Sequence, residues 1–388
     1  MQITVKKDDL TMVTLDGSIN SVNASEFENA IKDEPNGTNG IVIDALKLEY
    51  ISSAGLRVLL SAKKRCKDKT FKIINVNDDV YGVLEVTGFS EIMDVEKTVK
   101  NISLDNAVKI GAGACGECYR IDDETIIKLY YPKVSKQEIE REKALAKKAF
   151  VMGVPTAISY EIVNCEQRTG VVYELIKSKT LTELIRGDEE NIEKYCEMYA
   201  DVCKQIHTIV ATDKEIPLFK DINRQDIENV WGISEEEKSY LNKFLDIVPD
   251  GNTCLHGDLN VNNVMVQNGE CCLIDMGEFS TGISSFDISR ILFSMKYACD
   301  DEGDYNSFYK LPTKTVEKVL NTFLEKYYGC PFEQAQKTNA EAKWVIPLAW
   351  FRCCTSFLKG TRWSEQKREF AKTILKEKLI PFVNKYSV

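Results

Sequence analysis

Two β-prone runs, Val264–Gln267 and Cys271–Ile274, meet at Asn268-Gly269. That dipeptide is the strongest short-range signal for a two-residue hairpin, because both turn positions need φ > 0. The hairpin sets Asn263, at the entrance of one strand, near Asp275, at the exit of its neighbour. Two side-chain oxygens on one side of a tight ribbon suit a hard cation held by few protein ligands. Ahead of the hairpin stands Leu255-His256-Gly257-Asp258-Leu259-Asn260-Val261-Asn262-Asn263-Val264, and its second strand runs on through Cys272-Leu273-Ile274-Asp275-Met276-Gly277. Phosphoryl transfer asks for one carboxylate base, an Asn metal ligand and a second carboxylate on metal, since the protein there mainly positions groups and neutralises charge. Asp258, Asn263 and Asp275 supply that set. Each of them alone would also suit ordinary turn chemistry at the ends of a surface hairpin; the combined spacing points to a site.

The partners such a site needs are sought upstream. Ile110-Gly111-Ala112-Gly113-Ala114-Cys115-Gly116 contains Gly-x-Gly-x-x-Gly, a spelling shared with dinucleotide-binding turns. Those turns lead into a helix, whereas here Cys118–Ile121 and Thr125–Tyr130 read as strands around an Asp122-Asp123 turn. A strand, a glycine loop and a second strand form a lid whose backbone N–H groups cover phosphates. Lys128 lies in the second strand among apolar neighbours, pointing either to solvent or to a ligand; twelve residues after Gly116, the phosphate-binding reading is favoured. The helix expected over Ser135–Phe150 opens with a capping box, Ser135 with Glu138. It offers Glu142 to pair with Lys128, with Glu138 as the alternative one turn away.

From about Asn106 onwards these motifs resemble the aminoglycoside phosphotransferase and choline kinase group, the small-molecule branch of the protein-kinase-like fold. The glycine loop, Lys128, the helix Glu, His256-Gly257-Asp258 with Asn263, Ile274-Asp275, and Asp287 in Ser285-Phe286-Asp287-Ile288 carry the match. The resemblance implies an α+β bilobal fold, ATP as donor, Mg²⁺ as cofactor, Asp258 as catalytic base, and Asn263 and Asp275 as metal ligands. It implies that Gly111, Gly113 and Gly116 cover the phosphates that Lys128 holds. The adenine would sit at a hinge near Tyr173-Glu174-Leu175-Ile176, on backbone groups of Glu174 and Ile176. His256 is expected to orient the catalytic loop by hydrogen bonding rather than to transfer protons. Gly257 stands where protein kinases carry Arg, and eleven residues separate Asp275 from Asp287. A regulated docking segment does not fit there, which favours a small hydroxylated acceptor over a protein. The match also departs from the family at Asn260-Val261-Asn262 and at Met276, without losing a reacting group.

The first hundred residues alternate strand and helix signals, which argues for an α/β layer. Their sharpest feature is Tyr50-Ile51-Ser52-Ser53-Ala54-Gly55-Leu56, where Ser52 or Ser53 can cap a helix starting at Ala54. With the buried strand Ile41-Val42-Ile43-Asp44 before it, the segment resembles the sulfate transporter and anti-sigma factor antagonist (STAS) domain. That resemblance implies a protein partner and makes Ser53 a candidate phosphorylation site, though Ser52 replaces the acidic residue usual before it. A phosphate at a helix N-terminus is favourably placed while adding negative charge to a docking surface.

The expected organisation is residues 1–100 as the STAS-like domain, 101–106 as linker, 107–177 as the kinase-like small lobe and 178–388 as its helical lobe. Thirteen cysteines, twelve of them after residue 100 and irregularly spaced, read as reduced thiols; with no signal-peptide pattern at Met1–Lys6, a cytoplasmic location is expected. His207 reads as a packed helix histidine. No apolar run reaches membrane-spanning length, so no membrane role is expected. Residues 1–104 carry 13 basic and 16 acidic side chains, net −3, leaving −7 of the −10 for the rest. An acidic surface does not suit nucleic acid but is compatible with a cationic substrate. In the tail, helices are expected near Val316–Tyr328 and Glu341–Lys359, the latter kinked at Pro347. Trp344, Trp350, Phe351, Tyr297 and the Asp300-Asp301-Glu302-Gly303-Asp304 run lie where the resemblance implies an acceptor pocket, although an aromatic stripe at helical spacing is usually core and an acidic run usually solvated. The sequence thus points to an ATP- and Mg²⁺-dependent phosphotransferase for a small hydroxylated molecule, with a regulatory or docking module ahead of it. The alternative is a partner-switching signalling protein whose kinase-like part phosphorylates Ser53 or a partner, or only senses nucleotide.

Overall fold

The computed structural model describes residues 1–33, 37–212, 214–298, 305–360 and 363–386. The chain forms two compact units, Met1–Ile102 and Ser103–Val388.

In the first unit, the strand Gln2–Lys7 runs antiparallel to Thr11–Ile19, and three parallel strands follow in order, Gly40–Ile51, Thr70–Val76 and Asp94–Lys97. Parallel neighbours require crossovers, and Ala24–Ile31, Ser53–Cys66 and Asp78–Val86 are the helices that make them. Gly40, Ile41, Val42 and Ile43 are all buried, as befits a strand covered on both faces. Gly40 has φ +144°, and a Cβ there would lie 2.1 Å from the Thr70 carbonyl oxygen, so only glycine fits. Ser52 proves to be the cap of the helix Ser53–Cys66, its hydroxyl accepting from Gly55 N–H at 3.4 Å. Ser53 is therefore the first helical residue, and it is exposed. Leu56 and Leu59 on the inner face join Val13, Leu15 and Ile43 in the core.

The second unit opens with antiparallel strands ordered Ser159–Cys165, Arg168–Glu174, Thr125–Tyr130, Gly116–Arg120 and Val108–Ala112. Asp122 makes the turn expected of it, its carboxylate accepting from the N–H groups of Glu124 and Thr125. The helix Lys136–Val151 carries the capping box of Ser135 and Glu138. Beyond Glu174 the chain is mainly helical. Ile192–Thr208 packs on Thr313–Tyr328, with Tyr199 and Phe323 rings 4.5 Å apart in a fully buried contact. A buried aromatic of this kind contributes about 1.5–3 kcal/mol.

One expectation fails in the last helices. Ala342–Trp344 is a 3₁₀ turn and the α-helix runs only over Val345–Phe357, so Pro347 is its third residue. A first-turn N–H has no intrahelical partner to lose, so proline there starts a helix rather than kinking one. Trp344 and Phe351 are core residues packed around Phe244, and Tyr297 and Trp350 lie half-buried against the same cluster. The run Asp300–Asp304 lies outside the described residues.

Candidate active site

The hairpin forms as its turn dictates. Val264–Gln267 pairs with Glu270–Leu273 in the register Val264 to Leu273, and Asn268 and Gly269 have φ of 54° and 87°. Ile274 N–H donates to the Asn263 carbonyl at 3.0 Å, which brings Asn263 next to the residue before Asp275. Asp275 then takes a left-handed conformation, φ 66° and ψ 61°, one that Asp tolerates better than most side chains. Two residues on, Gly277 passes so close to the helix Lys136–Val151 that a Cβ would stand 3.2 Å from Glu142 Cγ.

Lys128 joins these elements. Its Nζ lies 2.6 Å from Glu142 Oε1 and 2.8 Å from Asp275 Oδ1. Burial disfavours the charged amine, but Asp275 and Glu142 outweigh it and hold the Lys128 pKa above its ordinary value. Burial likewise opposes ionisation of Asp275, and the ammonium of Lys128 more than compensates, so this carboxyl is held below its usual range. Glu138 takes no part, being used in the capping box.

The loop that carries His256, Asp258 and Asn263 hangs from Asp287. This fully buried carboxylate accepts from His256 N–H and Gly257 N–H, each at 2.8 Å, and meets His207 Nε2 at 3.2 Å. His207 in turn meets the Tyr327 hydroxyl at 2.7 Å. Burial alone would push the Asp287 carboxyl up; His207 and the loop donors prevail and hold it below its ordinary value. The His256 ring accepts from Asp258 N–H through Nδ1 at 3.3 Å, and its Nε2 stands 3.0 Å from the Ile274 carbonyl. These partners fit the tautomer with Nε2–H, so both ring nitrogens are used in tying loop to hairpin. Gly257, at φ +82°, would place a Cβ 2.3 Å from the Glu278 carbonyl oxygen, which accounts for glycine before Asp258.

Asp258 faces two groups. Its Oδ1 accepts from Arg290 Nε at 2.7 Å and Nη2 at 2.5 Å. Asn263 Nδ2 donates to the Asp258 carbonyl at 2.9 Å and lies 3.4 Å from Oδ2. Asn260 shapes the turn between them, its side chain accepting from Asn262 N–H and donating to the Asp258 carbonyl, both at 3.0 Å. Arg352 donates to the Gly257 carbonyl at 3.1 Å. Burial, reinforced by the nearby Arg290 cation, pushes Arg352 down to about 10. Neither arginine is signalled by a motif. Arg290 alone had a sequence cue, one helical turn after Asp287.

Of the lid residues, Gly116 needs to be glycine, since a Cβ would lie 2.5 Å from the Leu129 carbonyl oxygen; Gly111 and Gly113 border open space. Gly113 N–H donates to the Gly116 carbonyl at 2.8 Å and shapes the turn. At the hinge, Leu175 N–H is given to Glu124 O, Glu174 N–H to Ile158 O, and the Ile176 carbonyl accepts from Ser178 N–H. The structure thus brings Lys128, Glu142 and Asp275 into one cluster and His256, Asp258 and Asn263 into a second, joined by the hairpin. With its Nδ2 turned to Asp258, Asn263 keeps Oδ1 as its acceptor, and that oxygen and the Asp275 carboxylate are the hard donors that could hold a divalent cation shared with phosphates. Among the described residues no group of three or more His, Cys, Asp or Glu forms a metal cage.

Residues 107–306 match the family model described as phosphotransferase enzyme family, and residues 2–102 match that of the STAS domain. Over 99 residues the chain is 33% identical to "Putative anti-sigma factor antagonist BtrV" of Bordetella bronchiseptica, covering 24% of this chain and 85% of that protein. Among solved structures, it is similar to the ADP-bound aminoglycoside phosphotransferase APH(2'')-Ib, at 14% identity and TM-score 0.46 over 71% of this chain and 92% of that one. The amicoumacin kinase hAmiN, in complex with AMP-PNP, Ca²⁺ and Ami, matches at 15% identity and TM-score 0.46 over 78% and 93%. A choline/ethanolamine kinase family protein from Mesorhizobium loti matches at 10% and 0.43 over 72% and 91%. With more than half of its length under the first family model, the chain belongs to the phosphotransferase enzyme family, and it carries a STAS domain over residues 2–102.

Proposed function

We propose that this enzyme transfers the γ-phosphoryl group of ATP to the hydroxyl of a small molecule, with Mg²⁺ held by Asn263 and Asp275. When bound, the cation neutralises charge on the phosphates. Asp258 takes the hydroxyl proton as the new O–P bond forms and the bond to the β-phosphate oxygen breaks, releasing ADP. Lys128, held by Glu142, binds the phosphates; the loop of Gly111, Gly113 and Gly116 covers them; backbone groups of Glu174 and Ile176 receive the adenine. His256 orients the loop.

The observation that carries a small acceptor is what fills the stretch from Asp275 to Asp287. Ser280–Gly282 is a buried strand paired with Thr253–Leu255, and the helix Ser285–Leu292 starts directly after it. That stretch is taken up by fold-forming elements, which favours a small acceptor over a protein. The test is a thermal shift with ATP and Mg²⁺, followed by a phosphate-transfer screen over aminoglycosides, choline, amino alcohols, sugars and the protein itself. A nucleotide- and metal-dependent shift with transfer to one small-molecule class supports the reading. A shift with transfer only to protein overturns it.

The relation to an anti-sigma factor antagonist favours a second role beside the first. We infer that the STAS domain docks a protein partner, and that Ser53, exposed at the first position of its helix, is a candidate phosphorylation site. Peptide mapping of protein from its native host that never finds Ser53 modified removes that site.

A further inference from the structure

The arginine on the catalytic carboxylate is absent from the motifs that identify the site. We propose that Arg290 is the positioning residue for Asp258, fixing which carboxylate oxygen takes the proton; this rests on Asp258 being the base. Both Nε and Nη2 of Arg290 converge on Oδ1, at 2.7 and 2.5 Å. Oδ2 is left on the side of Asn263, at 3.4 Å from its amide nitrogen. The oxygen nearer the metal ligand is therefore the one open to an acceptor hydroxyl.

An aspartate needs such a grip. Its terminal torsion is broad and roughly two-fold, so an unrestrained carboxylate exchanges its oxygens and samples orientations that miss the acceptor. Arg290 sits on the helix Ser285–Leu292, three residues after Asp287, so the two share one face. Asp287 fixes the loop backbone at His256 and Gly257, while Arg290 fixes the side chain of the residue that follows. One rigid helix thus sets both the position and the rotation of the base. The arginine is itself only partly exposed, at 23%, and its guanidinium lies 5.6 Å from the Phe293 ring centroid, which restricts its own freedom.

Displacing a reacting group by about 1 Å costs on the order of a hundredfold in rate. Arg290→Met in the full chain should therefore lower kcat for Mg·ATP hydrolysis, with water as acceptor, by about tenfold to a hundredfold. The KM for ATP should stay within about twofold of wild type, because the arginine contacts the base and not the phosphate cluster. Asp258→Asn and the double variant complete a cycle: if Arg290 acts through Asp258, adding Arg290→Met to Asp258→Asn lowers the rate no further. An unchanged kcat in Arg290→Met, or a full additional loss in the Asp258→Asn background, overturns the proposal while leaving Asp258 as base. A wild-type rate in Asp258→Asn overturns the assignment of the base and the proposal with it. If Arg290→Met has a lowered Tm, Arg290→Lys, which keeps the charge but presents it as a single point, is measured by the same readings. A kcat equal to wild type in a folded Arg290→Lys also counts against the two-point grip.

Discussion

Asp258 has one oxygen committed to Arg290 and the other turned towards Asn263, so its replacement by Asn keeps the size of the side chain while removing its negative charge and its capacity to take a proton. Asp258→Asn should reduce turnover by a factor on the order of 10² to 10⁴, the range of general base catalysis. Nucleotide affinity should be spared, and a binding isotherm beside the rate measurement separates the two. Lys128 poses the opposite case. It is held between Glu142 at 2.6 Å and Asp275 at 2.8 Å, and Lys128→Met leaves two carboxylates facing the proposed phosphate site. Loss of a charge-assisted hydrogen bond costs about 1.5–3 kcal/mol, so ATP binding should weaken by about tenfold to a hundredfold. Equal ATP affinity in calorimetry would exclude Lys128 from the phosphate site.

At the scale of elements, the helix Ser285–Leu292 works as a buried clamp. Asp287→Ala strands two loop N–H groups and His207, and breaking a buried charged network of this kind costs about 3–5 kcal/mol, measurable as a lower midpoint in urea unfolding. The same group sets a pH dependence. The folded Asp287 carboxyl lies below its ordinary value of about 4. Its contribution is therefore present above that value and is lost as pH falls through the folded pKa. Urea midpoints taken from pH 6 downward should show this loss in the wild type, and Asp287→Asn should flatten that part of the profile. What was legible in the sequence at this scale was local: Asn268-Gly269 fixed a hairpin, Ser135 and Glu138 a helix start, and the hairpin alone put Asn263 near Asp275. What was not legible depends on contacts across long separations. Arg290 reaches Asp258 over 32 residues with only its place one turn after Asp287 as a cue, and Arg352 reaches Gly257 over 95 with no local pattern to encode the approach. Pro347 breaks no helix because a 3₁₀ turn delays the helix start to Val345 and places the proline in the first turn, a boundary that no local signal marks.

For the whole molecule, the choice lies between an enzyme whose acceptor is a small molecule and one whose acceptor is protein. The STAS domain offers a serine in a suitable place. Ser52 caps the helix, so Ser53 stands exposed at its first position, where a phosphate would meet free N–H groups and the positive end of the dipole. Favourable product placement does not make Ser53 a substrate of the phosphotransferase unit, however. A protein substrate must be held in extended form beside the base, and the stretch that would hold it is spent on a buried strand and a helix start. Incubating the intact protein with γ-labelled ATP and Mg²⁺ should therefore leave the Ser53 peptide unlabelled, and label should pass to an added small hydroxylated acceptor. Label on the Ser53 peptide that disappears in Asp258→Asn would show the opposite, that the unit phosphorylates STAS domains. Label on that peptide that persists in Asp258→Asn would trace to a contaminating kinase if the variant has lost transfer to small acceptors, and would overturn Asp258 as the base if it has not.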